Sequence, residues 1–236
     1  MFTPFSQFPN IICTTSTKLD GSMKDRSGFN ENNIHVLATK LGIDPKYMVF
    51  MKQIHSGEIR TIVNTNEHII QNVDGLITNQ PNVFLSVVTA DCLPIVFFDP
   101  EKKVIGAVHA GYKGLLNHII EHMVDKMEKE FGVVRTSIQV GIGPGIGKCC
   151  YNVDETRAQL FRDFLPTHPE IVQTRDTELF LDLLRVAEVV LGACGVAPRQ
   201  IRKSTICTKD ANNTYFSYRR ESSQTYGEMM TVIGMI

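Results

Sequence analysis

Between Val83 and Val108 the chain runs through three almost unbroken apolar segments, Val83–Thr89, Ile95–Phe98 and Val104–Val108, rich in β-branched and aromatic residues. A strand with one wet face alternates apolar and polar side chains, so runs without that alternation are strands buried on both faces. The chain must therefore build a sheet that other layers cover on both sides. Ser86, Thr89, Asp91 and Pro94 interrupt the stretch, which keeps it from being a bilayer span. Asp99-Pro100 marks the turn between its last two strands.

The flanking sequence supplies those layers. Residues 34–42 read as a short helix ending at Gly42. Tyr47–Gln53 and Glu58–Val63 read as strands around Ile54-His55-Ser56-Gly57, and Val73–Thr78 as a short apolar piece. After His109-Ala-Gly-Tyr-Lys-Gly114, a strong helix is expected. Leu115, Leu116, Ile119, Ile120, Met123, Val124 and Met127 share one of its faces, and Gly132 is placed to end it. Ser137–Gly141 reads as a strand feeding the glycine-rich loop Gly141–Gly147. Helices are expected near Asp154–Leu165 and Glu178–Leu191, the second with Leu179, Phe180, Leu183, Leu184, Ala187 and Leu191 inward. Ile201–Ile206, Tyr215–Tyr218 and Thr231–Ile236 read as late strands. Strands and helices alternate irregularly, with no repeat or linker. This predicts an α/β (α+β) fold, one domain over residues 1–236 with mixed sheets flanked by helices; that length suits one core.

Composition narrows the function. A formal net charge of -1 lacks the basic excess of a nucleic-acid binder. The segment from Met1 to Gly21 has neither the basic start nor the apolar stretch of a secretory signal, so a cytoplasmic protein that does not enter membranes is expected. A monomer or small homo-oligomer is expected. The six cysteines include no C-x-x-C pair, which suits a reducing compartment and argues against a structural zinc knuckle. Adjacent Cys149 and Cys150 could not easily bridge to each other, and most of the cysteines are expected to be buried small hydrophobes.

His55, Cys92 and His109 each fall where an apolar strand ends and the chain turns, the place where ligand groups gather in sheet-containing folds. Two imidazoles and a thiolate suit zinc, and a three-ligand set leaves a fourth position for water or substrate. Spacing alone does not select this reading, because each residue taken singly reads equally as part of the core.

The wider motif set resembles the YfiH-like, laccase-domain family, described now as purine nucleoside phosphorylases and formerly as polyphenol oxidases. The resemblance rests on Gln53-Ile-His55, Asp74-Gly-Leu-Ile-Thr78, Thr89-Ala-Asp-Cys-Leu-Pro94, His109-Ala-Gly-Tyr-Lys-Gly114, Gly143-Pro-Gly-Ile-Gly-Lys-Cys-Cys-Tyr151, Asp182-Leu183, Cys207-Thr208 and Phe216-Ser-Tyr-Arg-Arg220, in the family's order. It implies a zinc site of His55, Cys92 and His109. It also implies phosphorolysis of adenosine, inosine, guanosine and methylthioadenosine, with deamination of adenosine as a further activity.

Each reaction makes its own demands. Deamination needs an activated water, which zinc supplies, and a carboxylate to move protons; Asp91 is the candidate, with an orienting role as its alternative. Phosphorolysis needs an anion site. Glycine-rich turns into helices can present N–H groups, here at Gly111–Gly114 and at Gly143, Gly145 and Gly147, with Lys18, Lys113, Arg219 and Arg220 adding charge. Both loops read equally as tight turns. If Arg219 and Arg220 lie on a strand, one points inward and the other to solvent. The sequence departs from the family pattern at Lys18, where an arginine is usual, at Tyr112-Lys113 in place of Trp-Arg, and at Glu228 within Thr225-Tyr-Gly-Glu.

Three other readings compete. The same ligands can take copper, as a phenol oxidase would require, although the seven histidines are few for several copper centres. Cys92 and His109 also form a coherent metal-free hydrolase pair, which leaves His55 idle. A non-catalytic metal-binding module is the last. His118 and His122, four apart on a helix, read as a solvated face rather than a metal pair.

Overall fold

The computed structural model describes residues 2–25, 27–221 and 226–236. Its main six-stranded sheet runs in the order Ile201–Lys203, Gln139–Ile142, Leu93–Asp99, Val104–Ala110, Gly75–Thr78 and Ile59–Thr61. A five-stranded sheet, in the order Ile11–Thr15, Met229–Met235, Phe84–Thr89, Met48–Lys52 and Ile69–Gln71, packs against it. Both mix parallel and antiparallel pairs. The α-helices among the described residues are α1 (Glu31–Leu41), α2 (Tyr112–Leu116), α3 (Ile119–Phe131), α4 (Glu155–Phe164) and α5 (Leu183–Ala193).

Side-chain alternation explains the unbroken apolar runs. Leu93, Ile95 and Phe97 face one core with α3 and α5, while Val96 and Phe98 face a second core between the two sheets. Likewise Leu85 and Val87 point into the inter-sheet core, and Phe84 and Val88 point into a third core under α1. The expected layering is thus realised twice over, with helix, sheet, sheet and helix in sequence. Every strand in the middle is buried on both faces, which is why polar residues are so scarce along it.

Local chemistry sets the helix ends. Asn30 caps α1 by accepting the Asn33 N–H, so the helix begins earlier than residue 34, and it ends at left-handed Gly42 as expected. Gly132 ends α3 in the same conformation.

Several sequence expectations are corrected. The single helix after Gly114 is two, because His118 adopts a left-handed conformation between α2 and α3. Glu178–Leu181 is not helical; it is a strand between Asn152–Val153 and Val172–Arg175, and α5 starts only after Asp182, whose carboxylate caps it by accepting the Arg185 N–H. Tyr215–Tyr218 is not a strand either. Tyr215 and Glu221 donate their N–H groups back to Ala211 and Ser217, closing turns instead. No helix among the described residues is long and apolar enough to cross a membrane.

Candidate metal centre

The register of the two long strands builds the site. Leu93–Asp99 and Val104–Ala110 pair antiparallel, with His109 opposite Pro94 and Ala110 opposite Leu93. Cys92, just before one strand, and His109, near the end of the other, therefore meet at one end of this central strand pair. Cys92 belongs to the corner Ala90-Asp91-Cys92, where the chain leaves the five-stranded sheet for the six-stranded one, with Asp91 at φ 85. His55 arrives on the loop after Met48–Lys52, also left-handed at φ 61.

Ligand atoms of His55, Cys92 and His109 lie within 4.8 Å of one another. The sequence thus nominates three residues that the fold brings together from separate elements. Asp74 organises them. His109 donates from Nδ1 to Asp74 Oδ1 at 2.9 Å, leaving Nε2 for the cluster. Asp74 also accepts the backbone N–H groups of Ile54, His55 and Ser56 and the Ser56 hydroxyl. Gln53 clamps the same loop to the Phe84–Thr89 strand through both hydrogen bonds to the Val88 backbone.

The electrostatics match this wiring. Burial would raise the Asp74 carboxyl, but hydrogen bonds from His109 and Ser56 bring it down to about 2. Burial would lower His109, yet the adjoining Cys92 sulfur and Asp74 push it up to about 10. For Cys92, burial opposes ionisation, and the imidazoles of His109 and His55 reverse this to bring the thiol down to about 7. A thiol prepared to lose its proton, beside a histidine whose tautomer a carboxylate fixes, is the donor chemistry of a metal ligand set. Gly111 adds a steric observation. A Cβ there would stand 2.7 Å from Cys92 Sγ and 3.3 Å from His55 Cδ2, so glycine is what lets the backbone lie against the cluster. The residues fit a metal ion with one open position.

The cluster forms the floor of a cavity of about 480 Å³. Tyr112, Tyr151, Tyr218 and Tyr226 stand in its walls, together with Lys24, Arg157, Arg219 and Glu228. The Arg157 guanidinium lies 4.1 Å from the centre of the Tyr112 ring, and that of Arg219 4.9 Å from the centre of Tyr151. Thr89 Oγ1 is buried on the wall and has no hydrogen-bond partner among the described residues. Burial raises Glu228 above an ordinary carboxyl, and Lys24 lies 3.8 Å away.

The remaining sequence candidates divide. Asp91 and Arg219 line the cavity. Asp91 is committed to the scaffold, however, since one oxygen accepts the Thr208 hydroxyl at 2.6 Å and the other the Arg219 N–H at 2.7 Å. Lys18 pairs with Glu221 at 2.9 Å and is not in the cavity wall. Lys113 is exposed, outside that wall. Arg220 donates to the carbonyls of Thr208, Lys209 and Tyr215 rather than into the cavity. Gly143 and Gly145 have a different use from an anion cradle. The N–H groups of Gly143 and Ile146 are taken by the Pro94 and Asp91 carbonyls, and side chains at the two glycines would strike Pro94 and Leu93. That loop braces the Cys92 corner and runs into turns, not directly into a helix. Glu228 is named in the sequence only as a departure, and Lys24 and Arg157 give no sequence signal at all. Thr225 lies outside the described residues.

Comparison with known proteins gives a consistent answer. Residues 12–236 match the family described as multi-copper polyphenol oxidoreductase laccase. The chain is 32% identical over 213 residues to purine nucleoside phosphorylase YlmD of Bacillus subtilis, covering 86% of this chain and 76% of that one. It is 32% identical over 196 residues to human purine nucleoside phosphorylase LACC1, covering 81% of this chain and 44% of that larger protein. Adenosine deaminase RL5, from an unknown prokaryotic organism, is 29% identical over 194 residues, covering 78% of this chain and 74% of that one. Among solved structures, Bacillus licheniformis YfiH superposes with a TM-score of 0.92 at 29% identity, over 98% of this chain and 95% of that one.

Proposed function

The chain belongs to the multi-copper polyphenol oxidoreductase laccase family, and we propose that within it this protein is a zinc-dependent purine nucleoside phosphorylase that also deaminates adenosine. We take residues 1–236 as its one domain and the cytoplasm as its compartment. The observation that carries the reading is the placement of His55, Cys92 and His109 on the floor of a tyrosine-walled cavity that also holds arginines and a carboxylate. The names of the relatives, purine nucleoside phosphorylase and adenosine deaminase, point to the same substrates.

His55, Cys92 and His109 would hold the zinc, whose chemistry when bound is Lewis acidity toward a water or substrate oxygen. Aromatic walls such as Tyr151 and Tyr218 give a purine ring faces to stack on, and a cavity of about 480 Å³ accommodates a nucleoside. Arg157 and Arg219 offer planar, multidentate donors for phosphate. Departure of the purine requires a proton at a ring nitrogen. Glu228 supplies it in this reading, because burial keeps a fraction of its carboxyl protonated nearer neutral pH than an exposed glutamate. Asp91 then acts by positioning, holding the Arg219 backbone and Thr208 around the Cys92 corner. The cluster with two histidines does not by itself supply the several copper centres a multicopper oxidase needs.

The test is to incubate the zinc-loaded chain with inosine and adenosine, with and without phosphate. Phosphate-dependent release of free base, lost in Cys92→Ala together with the metal at that site, is the expected result. Zinc bound with no base released and no inosine formed from adenosine would overturn the assignment.

A further inference from the structure

A second convergence of ligand-type side chains lies outside the cavity. Cys149 and Cys150 come from the turn after the glycine-rich loop, and Cys207 and Asp210 from a turn far along the chain. Ligand atoms of all four lie within 4.8 Å of one another. Cys149 Sγ donates to Asp210 Oδ2 at 3.0 Å and Cys150 Sγ to Oδ1 at 2.9 Å, so one carboxylate receives both thiols. Gly147 makes room: a Cβ there would stand 3.1 Å from Cys149 Sγ and 3.6 Å from Cys207 Sγ.

Both turns are fixed independently of any ligand. Gly145 bridges to Cys207, the Thr208 N–H donates to the Gly145 carbonyl at 3.0 Å, and the Cys150 N–H donates to the Gly147 carbonyl at 3.0 Å. The donors are thus held together by backbone rather than by chance side-chain rotamers. Cys149 and Asp210 are exposed and Cys150 is half-buried, so an ion has a path in, while Cys207 closes the inner side.

We propose that Cys149, Cys150, Cys207 and Asp210 form a structural zinc site separate from the centre in the cavity. Three thiolates and a carboxylate are four donors, which fills a tetrahedral shell and leaves no position for substrate. The thiol-rich set selects a thiophilic ion, and the oxygen ligand favours zinc over monovalent copper. Binding replaces the thiol protons that now point at Asp210, and these leave to solvent. Four anionic ligands around a dication carry a net negative charge, which Lys148, Lys209 and Arg175 beside these turns offset; Arg175 already donates to the Lys148 and Cys149 carbonyls. Tyr151 of the cavity wall follows Cys150, and Thr208, the partner of Asp91, follows Cys207. The ion would therefore staple the two segments that brace the first site.

The test uses the full Cys92→Ala chain, reduced, stripped of metal and titrated with Co²⁺, so that the cavity centre contributes no thiolate signal and failure of the proposed activity does not bear on the result. About one Co²⁺ per chain, with intense thiolate-to-cobalt absorption and tetrahedral visible bands that Zn²⁺ abolishes, is expected. Adding Cys149→Ser and Cys150→Ser should remove that absorption with an unchanged circular dichroism spectrum. Asp210→Asn should keep the thiolate bands and weaken zinc by about tenfold or more. As a check independent of Cys92, the Cys149→Ser/Cys150→Ser chain should retain about one zinc where the parent retains about two. Absence of thiolate absorption in reduced Cys92→Ala, equal zinc content of the parent and the double variant, or a Cys149–Cys207 disulfide that persists in reductant would each overturn the proposal.

Discussion

Asp74 Oδ1 accepts the Nδ1 hydrogen of His109 at 2.9 Å, and the same oxygen accepts the backbone N–H of His55 at 3.0 Å. One atom therefore sets the tautomer of one proposed ligand and the backbone position of another. Asp74→Asn leaves an amide that can present an acceptor to only part of this set. We expect metal affinity to fall about 10–100-fold, as for other outer partners of ligating histidines. Competition with a chromogenic chelator measures it, and unchanged affinity would remove Asp74 from the site.

Gly111 separates packing from ligation. Its φ of -81 suits any residue, so Gly111→Ala imposes no backbone strain, yet the new methyl would sit 2.7 Å from Cys92 Sγ. The variant is expected to keep its melting temperature within a few degrees, on the order of a 1 kcal/mol change, while losing most of its metal at the cavity centre. Calorimetry and elemental analysis on one preparation decide the matter.

Acid and alkali should act on the metal-free protein through different groups. Asp74 titrates near 2 in the folded state, below an unfolded aspartate at about 3.9. Its contribution is therefore complete above about pH 4 and lost as pH falls toward 2. His109 is the reverse case, raised to about 10 from an unfolded value of about 6.5. Its contribution is complete below about pH 6.5 and disappears as pH rises through 10. Cys92, lowered to about 7, contributes with the opposite sign between about pH 7 and 9, so chelated protein should lose stability chiefly below about pH 4 and as pH rises from about 9 through 10. Metal binding should instead strengthen with pH, since protons leave Cys92 and His109 when the ion enters. Urea midpoints against pH, with and without zinc, should diverge on the alkaline side; parallel curves would contradict the ligand assignment.

Glu228 and Asp91 are both carboxylates on the cavity wall, but they differ in what they already hold. Glu228→Gln should lower kcat by about 10²–10⁴-fold, the range for removal of a general acid, with zinc content and KM little changed. Asp91→Asn should cost on the order of 1–3 kcal/mol of stability, because the amide keeps an acceptor for only one of the two donors, the buried Thr208 hydroxyl and the Arg219 N–H. If Asp91→Asn abolished turnover with stability intact, the two roles would be exchanged.

The double burial of the central strands was legible in the sequence because it leaves Ser86 and Thr89 as the polar residues of Val83–Thr89 and none in Ile95–Phe98. The turns at His55, Cys92 and His109 were legible as strand ends, and the family motifs nominated them as one set. Glu178–Leu181 misled because Leu179, Phe180, Leu183 and Leu184 fit a helical face, although Asp182 was itself the sign of a later helix start. Tyr215 and Phe216 misled because aromatic residues suit strands, whereas the Tyr215 N–H closes a turn on Ala211 and the Phe216 N–H donates to Met229 Sδ. The wall residues Lys24, Arg157 and Glu228 carried no local pattern, since they come from distant parts of the chain that meet only in the folded structure. The thiol cluster was hidden for a similar reason, with Cys207 joining Cys149 and Cys150 through a backbone bridge rather than a short spacing.

Of the donors of the cavity centre, His109 stands on a buried central strand, and His55 and Cys92 stand on short corners joined to strands, the first tied back by Asp74 and Gln53, whereas Tyr151, Arg157, Tyr218 and Arg219 stand on turns and on the first turn of α4. Floor and walls thus answer to different parts of the chain. A lineage could redraw the walls, and with them the choice of nucleoside, while the floor stayed under the constraint of the buried strands. The same division tells a protein engineer where to randomise: libraries in the turns should shift selectivity, and libraries in the strands should mostly yield proteins that fail to fold.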